Sequence, residues 1–374
     1  MDRRQATLDS AVAQGAAPFV VAMTCDAEGV TFSGSAGAAE DSTVFRIYSM
    51  TKAIAAVAAM ILVERGRLML EAPVASVLPA FSQLQVLEGF DGEVPRLRPA
   101  RSQATIRQLM THTSGIEYEF WNADIARWQQ ITGHPSAMSG RRDGLNYPLA
   151  FDPGTRWGYG FGPDWLGLVI AEVSGLPVEE FCKREIFAPL SMADTRFSPT
   201  ESMSARLPAV VQRRGDGFAP SRMALPEDPE HFGMGYALYS TAPDQLRFLR
   251  MILHRGDVDG VRLLSPDTVA AMLSNQIGTL RFRPMTSASP KSSADVDPFP
   301  GLPQSHSLLG VRTEEDAPDR RRAGSSFWAG ILNTHWWLDP AAGIGGVWMT
   351  QMLPFADPKA MGAFGDFERA VYAS

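Results

Sequence analysis

Val44-Phe45-Arg46-Ile47-Tyr48-Ser49-Met50-Thr51-Lys52 is a short β-forming run that passes into an Ala-rich apolar segment. In that segment Ile54, Val57, Ile61 and Leu62 recur at three- and four-residue intervals as far as Gly66. The pattern predicts a strand leading into a well-buried helix, with Ser49 at the junction and opening the helix. Residues three apart on a helix share a face, so the Ser49 hydroxyl and the Lys52 amine come within hydrogen-bond reach. A serine hydroxyl is a poor nucleophile until a neighbour takes its proton. A lysine can do so once burial lowers its pKa from about 10.4 towards neutrality. The unpaired N–H groups at the helix start, that of Ser49 among them, favour negative charge and can donate to a developing oxyanion. Taken alone, Ser-x-x-Lys is equally the pattern of an N-cap serine followed by a solvated lysine. The apolar helix that follows leaves Lys52 no comfortable route to solvent.

Outward from this stretch, 374 residues exceed what one simple core usually fills, and two lobes are expected. With 45% hydrophobic and 20% charged residues the composition is that of a globular protein. The balance of 34 Lys and Arg against 41 Asp and Glu, with no long basic block, argues against nucleic acid as a partner. Cys25 and Cys182 fit no metal-ligand spacing and read as buried free thiols, so no metal or cofactor is expected. The N-terminus reads as an amphipathic helix leading to a strand rather than a secretion signal, and a cytoplasmic location is expected. Ile54 to Val63, the most apolar later stretch, is too short to span a bilayer. A homodimer is compatible with the sequence.

Residues 4–14 read as a first helix, and 18–25 and 30–35 as a β-hairpin across Asp26 to Gly29. Between about Leu70 and Tyr236, Pro and Gly breaks surround short helical patterns at 105–111 and 164–173, which suggests a loop-rich helical lobe. A strand at 236–240, helices at 243–254 and 265–275, and strands around 306–312, 327–338 and 344–350 follow. The expected division is therefore a discontinuous α/β sheet domain, 1–70 plus 236–374, around an inserted helical domain, 71–235. Residues 279–301, rich in Pro and Ser, read as a long surface loop flanking the site.

Two further segments carry chemistry. Tyr159 stands in a Gly-rich stretch, Gly158 to Gly162, where backbone can approach a ligand and a phenol can point into a cleft to relay a proton. Its alternative is a packing tyrosine. Trp328-Ala329-Gly330-Ile331 lies in a strand-like run from Phe327 to Leu338. Small residues there let a substrate lie along the strand and leave the Ile331 N–H as second oxyanion donor; the alternative is a plain core strand.

Ser49 to Lys52, Ile106 to Gly115, Asp152-Pro153-Gly154 with Tyr159, and Leu263 to Met272 resemble the serial landmarks of class C β-lactamase-like serine hydrolases. The branch it looks most similar to is the family VIII carboxylesterases, whose relatives include fungal acyltransferases and D-amino-acid peptidases. The resemblance covers about residues 5–370. It implies an α+β, β-lactamase/transpeptidase-like fold: an antiparallel sheet flanked by helices, with an inserted mainly helical lobe. It also implies Ser49 as the acylated nucleophile, Lys52 as its partner and Tyr159 as base or proton shuttle. Trp328-Ala329-Gly330 falls at the third motif, and His112 at a landmark that supports the fold.

Two departures shape the expected substrate. Where β-lactamases carry Tyr-x-Asn, this chain has Phe161, which cannot contact a substrate amide. Where they and the peptidases carry Lys or His, it has Trp328, so the cation that pairs a substrate carboxylate is missing there. Both favour a serine carboxylesterase acting on small to medium neutral esters, unless Arg or His from 313–322 or His335 restores a charge. The alternatives are a β-lactamase or D-amino-acid peptidase, an acyltransferase to an alcohol, and a catalytically silent binding protein of the same fold. Pocket shape is expected to depend on Phe120, Trp121, Trp157, Phe161 and the loop 279–301.

Overall fold

The computed structural model describes residues 2–373. Strand β1, Phe19–Cys25, is buried at every position and is therefore covered on both faces. It turns back into β2, Val30–Gly37, at Asp26, whose carboxylate accepts from the Glu28 and Gly29 N–H groups. The other neighbour of β1 comes from the far end of the chain. Strands β3 (Gln304–His306), β4 (Val311–Thr313), β5 (Ser326–Gly330), β6 (Thr334–Asp339) and β7 (Ile344–Met349) complete an antiparallel sheet in the order β3-β4-β5-β6-β7-β1-β2. The β1–β7 register pairs Val21 with Met349.

Helices α1 (Arg3–Ala13) and α5 (Pro358–Tyr372) pack together on one face. Helix α4 (Ala242–Leu253) packs against β1 and β7 from the other. Helix α2 (Thr51–Glu64) is buried at each position from Thr51 to Leu62, as an all-round apolar helix must be. It packs against α3 (Gly162–Ser174) of the mainly helical insertion. One continuous apolar core runs through the sheet, α2 and the insertion. Among the described residues no helix is long and apolar enough to cross a membrane.

Several elements differ from their sequence patterns. The runs at 306–312 and 327–338 are each interrupted by a turn. Ser307 Oγ accepts from the Leu309 and Gly310 N–H groups between β3 and β4. Between β5 and β6 Asn333 adopts φ 59° and donates its side-chain amide to Met352 O and Pro354 O. The strand at 236–240 shrinks to Tyr239–Ser240, paired with Phe45–Arg46. Segment 279–301 is irregular but not merely superficial: Phe282, Met285, Val296 and Phe299 are buried in the core.

Trp337 and Gly346 are cross-strand partners on β6 and β7, and the indole fills the space a side chain at 346 would need before reaching Phe364 and Phe367 of α5. Gly346→Val is therefore expected to lower stability by about 1–3 kcal/mol. The shift should appear as a lower urea midpoint at unchanged slope; an unchanged midpoint would contradict this packing.

Candidate active site

The chain leaves the short strand at Phe45–Arg46 and turns sharply at Tyr48, whose φ of 42° is strained for a bulky residue. Ser49 consequently sits within a single 3₁₀ turn, Tyr48–Met50, and α2 proper begins two residues later. The turn is closed by Met50 N–H to Ile47 O, 3.1 Å, and by Thr51 N–H to Tyr48 O, which leaves the Ser49 N–H free. Lys52 Nζ donates to Ser49 Oγ (2.9 Å), Gly235 O (2.9 Å) and Tyr118 OH (3.1 Å). Its three protons thus meet three acceptors.

Burial holds the Lys52 amine well below its ordinary pKa, and the carboxylate of Asp164 opposes the shift. Asp164 is itself fully buried in the first turn of α3, and burial raises its pKa. Its Oδ1 accepts from Gly235 N–H at 2.8 Å, while Oδ2 has no partner. Gly235 thus touches both charged groups, through its N–H to the acid and through its carbonyl to the amine. A Cβ at Gly233 or Gly235 would stand 2.5 or 2.6 Å from an Asp164 oxygen, so only glycine fits at either position.

Tyr159 OH accepts from the Trp328 indole N–H at 2.8 Å. Burial lifts this phenol above its usual pKa, with Ser49 and Trp328 hydrogen bonding acting in the opposite direction. Lys52 Nζ lies 4.9 Å from the Tyr159 ring centre and 5.1 Å from that of Tyr118. His112 braces this segment: its carbonyl accepts from Gly158 N–H (2.8 Å), its Nδ1 accepts from Gly160 N–H (3.2 Å), and its ring lies 4.7 Å from that of Tyr159. Burial, His306 and Lys52 keep the imidazole neutral. The glycines around Tyr159 serve protein packing rather than ligand approach. Side chains at Gly158, Gly160 and Gly162 would overlap Glu117, Ile116 and Leu109, and this closeness places Tyr118 beside Lys52.

Ser49, Tyr118, Phe120, Tyr159, Trp328, Ala329 and Ile331 converge on one narrow cleft of ≈20 Å³. Ile331 begins the β5–β6 turn, whose hydrogen bond runs from Asn333 N–H to Gly330 O and does not use the Ile331 N–H. Three residues expected along the substrate path lie off its wall. Phe161 is fully buried between Tyr118 and Tyr147. Trp157 stacks on Tyr159 and packs on Phe282. Gly330 faces Ile47 O and Thr334 Oγ1, admitting β5 close to the turn that carries Ser49. Tyr118 and Asp164 were not singled out from the sequence. The only trace of Asp164 there is an acid opening an otherwise apolar helix, which reads as complementing the helix dipole.

An antiparallel sheet with a buried Ser-x-x-Lys turn facing a tyrosine from an inserted lobe defines a serine hydrolase of the β-lactamase and penicillin-binding-protein fold. The chain belongs to the beta-lactamase family, whose model matches residues 4–369. It is 32% identical over 343 residues to the lovastatin esterase of Penicillium rubens, covering 85% of this chain and 82% of the relative. It is also 32% identical over 346 residues to the monacolin J acid methylbutanoyltransferase of Aspergillus terreus, covering 88% and 82%. Unliganded simvastatin synthase from Aspergillus terreus superposes with a TM-score of 0.86 at 29% identity, over 99% of this chain and 97% of that one. The protein is thus an enzyme of the serine-hydrolase type.

The Asp164 charge raises the Lys52 pKa, so its removal lets Lys52 lose its proton at lower pH. In Asp164→Asn, whose amide oxygen can still accept from Gly235, the acid limb of the pH–kcat/KM profile should move down by about one unit. A limb that stayed in place would show that Lys52 does not set it.

Proposed function

We propose that this enzyme transfers the acyl group of carboxylic esters through an acyl-enzyme on Ser49. The observation that carries the reading is the Lys52 amine, sequestered from water and 2.9 Å from Ser49 Oγ. Both nearby phenols are pushed away from ionisation by burial, whereas burial pushes Lys52 towards its neutral form. Lys52 is therefore the better resting base. It takes the Ser49 proton as Oγ attacks the ester carbonyl carbon, and the N–H groups of Ser49 and Ile331 receive the oxyanion. The proton passes from Lys52 through Tyr159 to the departing alcohol oxygen as the C–O bond breaks. Water then attacks the acyl-enzyme by the same route in reverse, releasing the acid and returning the proton to Ser49.

Esters are favoured over amides by what surrounds Tyr159. Phe161 offers no amide group, and the Trp328 N–H is already engaged with the phenol. Groups next to the scissile carbonyl therefore meet aromatic and aliphatic walls. A second reading, transfer to an alcohol in place of water, is favoured by the narrowness of the aromatic cleft and by the transferase relative. Product analysis with added alcohol separates the two: a new ester forming at the expense of free acid supports transfer.

Ser49→Ala should abolish covalent labelling by a phosphonate ester; labelling at full stoichiometry would require another nucleophile. Trp328→Phe keeps the ring but removes the donor to Tyr159. It should lower kcat about tenfold with little change in KM. A change confined to KM would make Trp328 a binding wall only.

A further inference from the structure

Directly beyond Trp328, Ala329 and Phe355, which also line the catalytic cleft, lies a second cavity of ≈110 Å³. One buried water needs about 10–15 Å³ of such space, so the cavity has room for several non-hydrogen atoms. Phe299, Phe327 and Phe364 give it apolar walls, but its far end is polar and incompletely satisfied. Arg321, 1% exposed, binds Glu368 through Nε (2.7 Å) and Nη2 (2.9 Å), while its Nη1 has no partner. Arg320 reaches the same carboxylate at 3.6 Å, and its Nε is also without a partner. Two guanidinium groups thus share one buried carboxylate. Arg369, the remaining cation nearby, is paired with Asp366.

His335 stands opposite Ala329 on β6 and is 6% exposed. Its ring stacks on Phe364 at 4.5 Å, and its nitrogens have no hydrogen-bond partner among the described residues. Burial and Arg321 lower its pKa to about 3, so it is a neutral donor rather than a competing cation. At the solvent rim stand Asp295, which accepts from Ser287 N–H, and Asp297, both exposed.

We propose that this cavity is a subsite for a short substrate chain ending in a carboxylate, which Arg320 and Arg321 bind with His335 beside them. The proposal rests on the acyl-transfer reading and names its substrate class: esters of short dicarboxylic acids, uncharged beside the scissile carbonyl and anionic at the far end. The cation absent at Trp328 is supplied from the loop between β4 and β5, one cavity further from Ser49.

The test compares mono-p-nitrophenyl glutarate with p-nitrophenyl pentanoate, whose acyl chain has the same number of carbons but no carboxylate. The wild-type enzyme should favour the glutarate at least about tenfold in kcat/KM, the range of a charge-assisted hydrogen bond. Arg320→Gln should cut that preference about tenfold, and Arg320→Lys should restore part of it. Arg321 is a poor choice for the test because removing it strands Glu368 without its main partner. Equal turnover of the two esters by wild type, with Ser49 still labelled by a phosphonate, overturns the subsite and leaves the hydrolase reading standing. So does an undiminished preference in folded Arg320→Gln. If neither ester turns over and Ser49 is unlabelled, the acyl-transfer reading falls and the subsite with it.

Discussion

A lysine amine can be held inside an apolar helix only if each of its protons finds an acceptor, and at Lys52 this requirement draws three distant segments together. Ser49 comes from the same turn, Tyr118 from the helical insertion, and Gly235 from the chain returning to the sheet. Each meeting imposes its own local demand. Tyr118 reaches Lys52 because glycines at 158 and 160 let the backbone around Tyr159 press against Glu117 and Ile116, and Gly162 lets it approach Leu109. Gly235 reaches it because nothing larger than hydrogen fits beside Asp164. The concentration of glycine around the site is thus a consequence of surrounding one amine with protein acceptors in place of water.

The same constraint explains how much could be read in advance. Ser49 and Lys52 are neighbours in sequence, and the apolar period of α2 declares its burial, so both their contact and its buried environment were legible. Tyr118 and Asp164 meet Lys52 only through tertiary packing, and neither belongs to a spacing that chemistry requires. The two hairpins at β3–β4 and β5–β6 were read as single strands because Leu308, Leu309, Ile331 and Leu332 continue the apolar character through the turns. What breaks the strands is hydrogen bonding by Ser307 and the left-handed backbone at Asn333, which leave little mark on composition. In 279–301 the reverse occurs. Abundant Pro and Ser announce a loop and conceal four large apolar residues that anchor it in the core.

Trp328 shows how one side chain can be tied to a neighbour while it lines a cleft. An indole offers a single donor, and here it is directed at the Tyr159 phenol, 2.8 Å away. The residue at this strand position therefore has its one polar group committed to a protein partner, and none left to turn towards the cleft. Its neighbour Ala329 is small enough to let the cleft and the second cavity share a wall.

Strand β1 lies between β2, its sequence neighbour, and β7, more than three hundred residues later. The sheet cannot close until nearly all of the chain is available, and such long-range pairing is slow to form. Helix α2 is synthesised early, but its burial requires the insertion and the late strands. Until they arrive Lys52 is solvated and keeps the basicity of a free lysine. The Ser49–Lys52 contact therefore acquires its buried surroundings only with the completed fold.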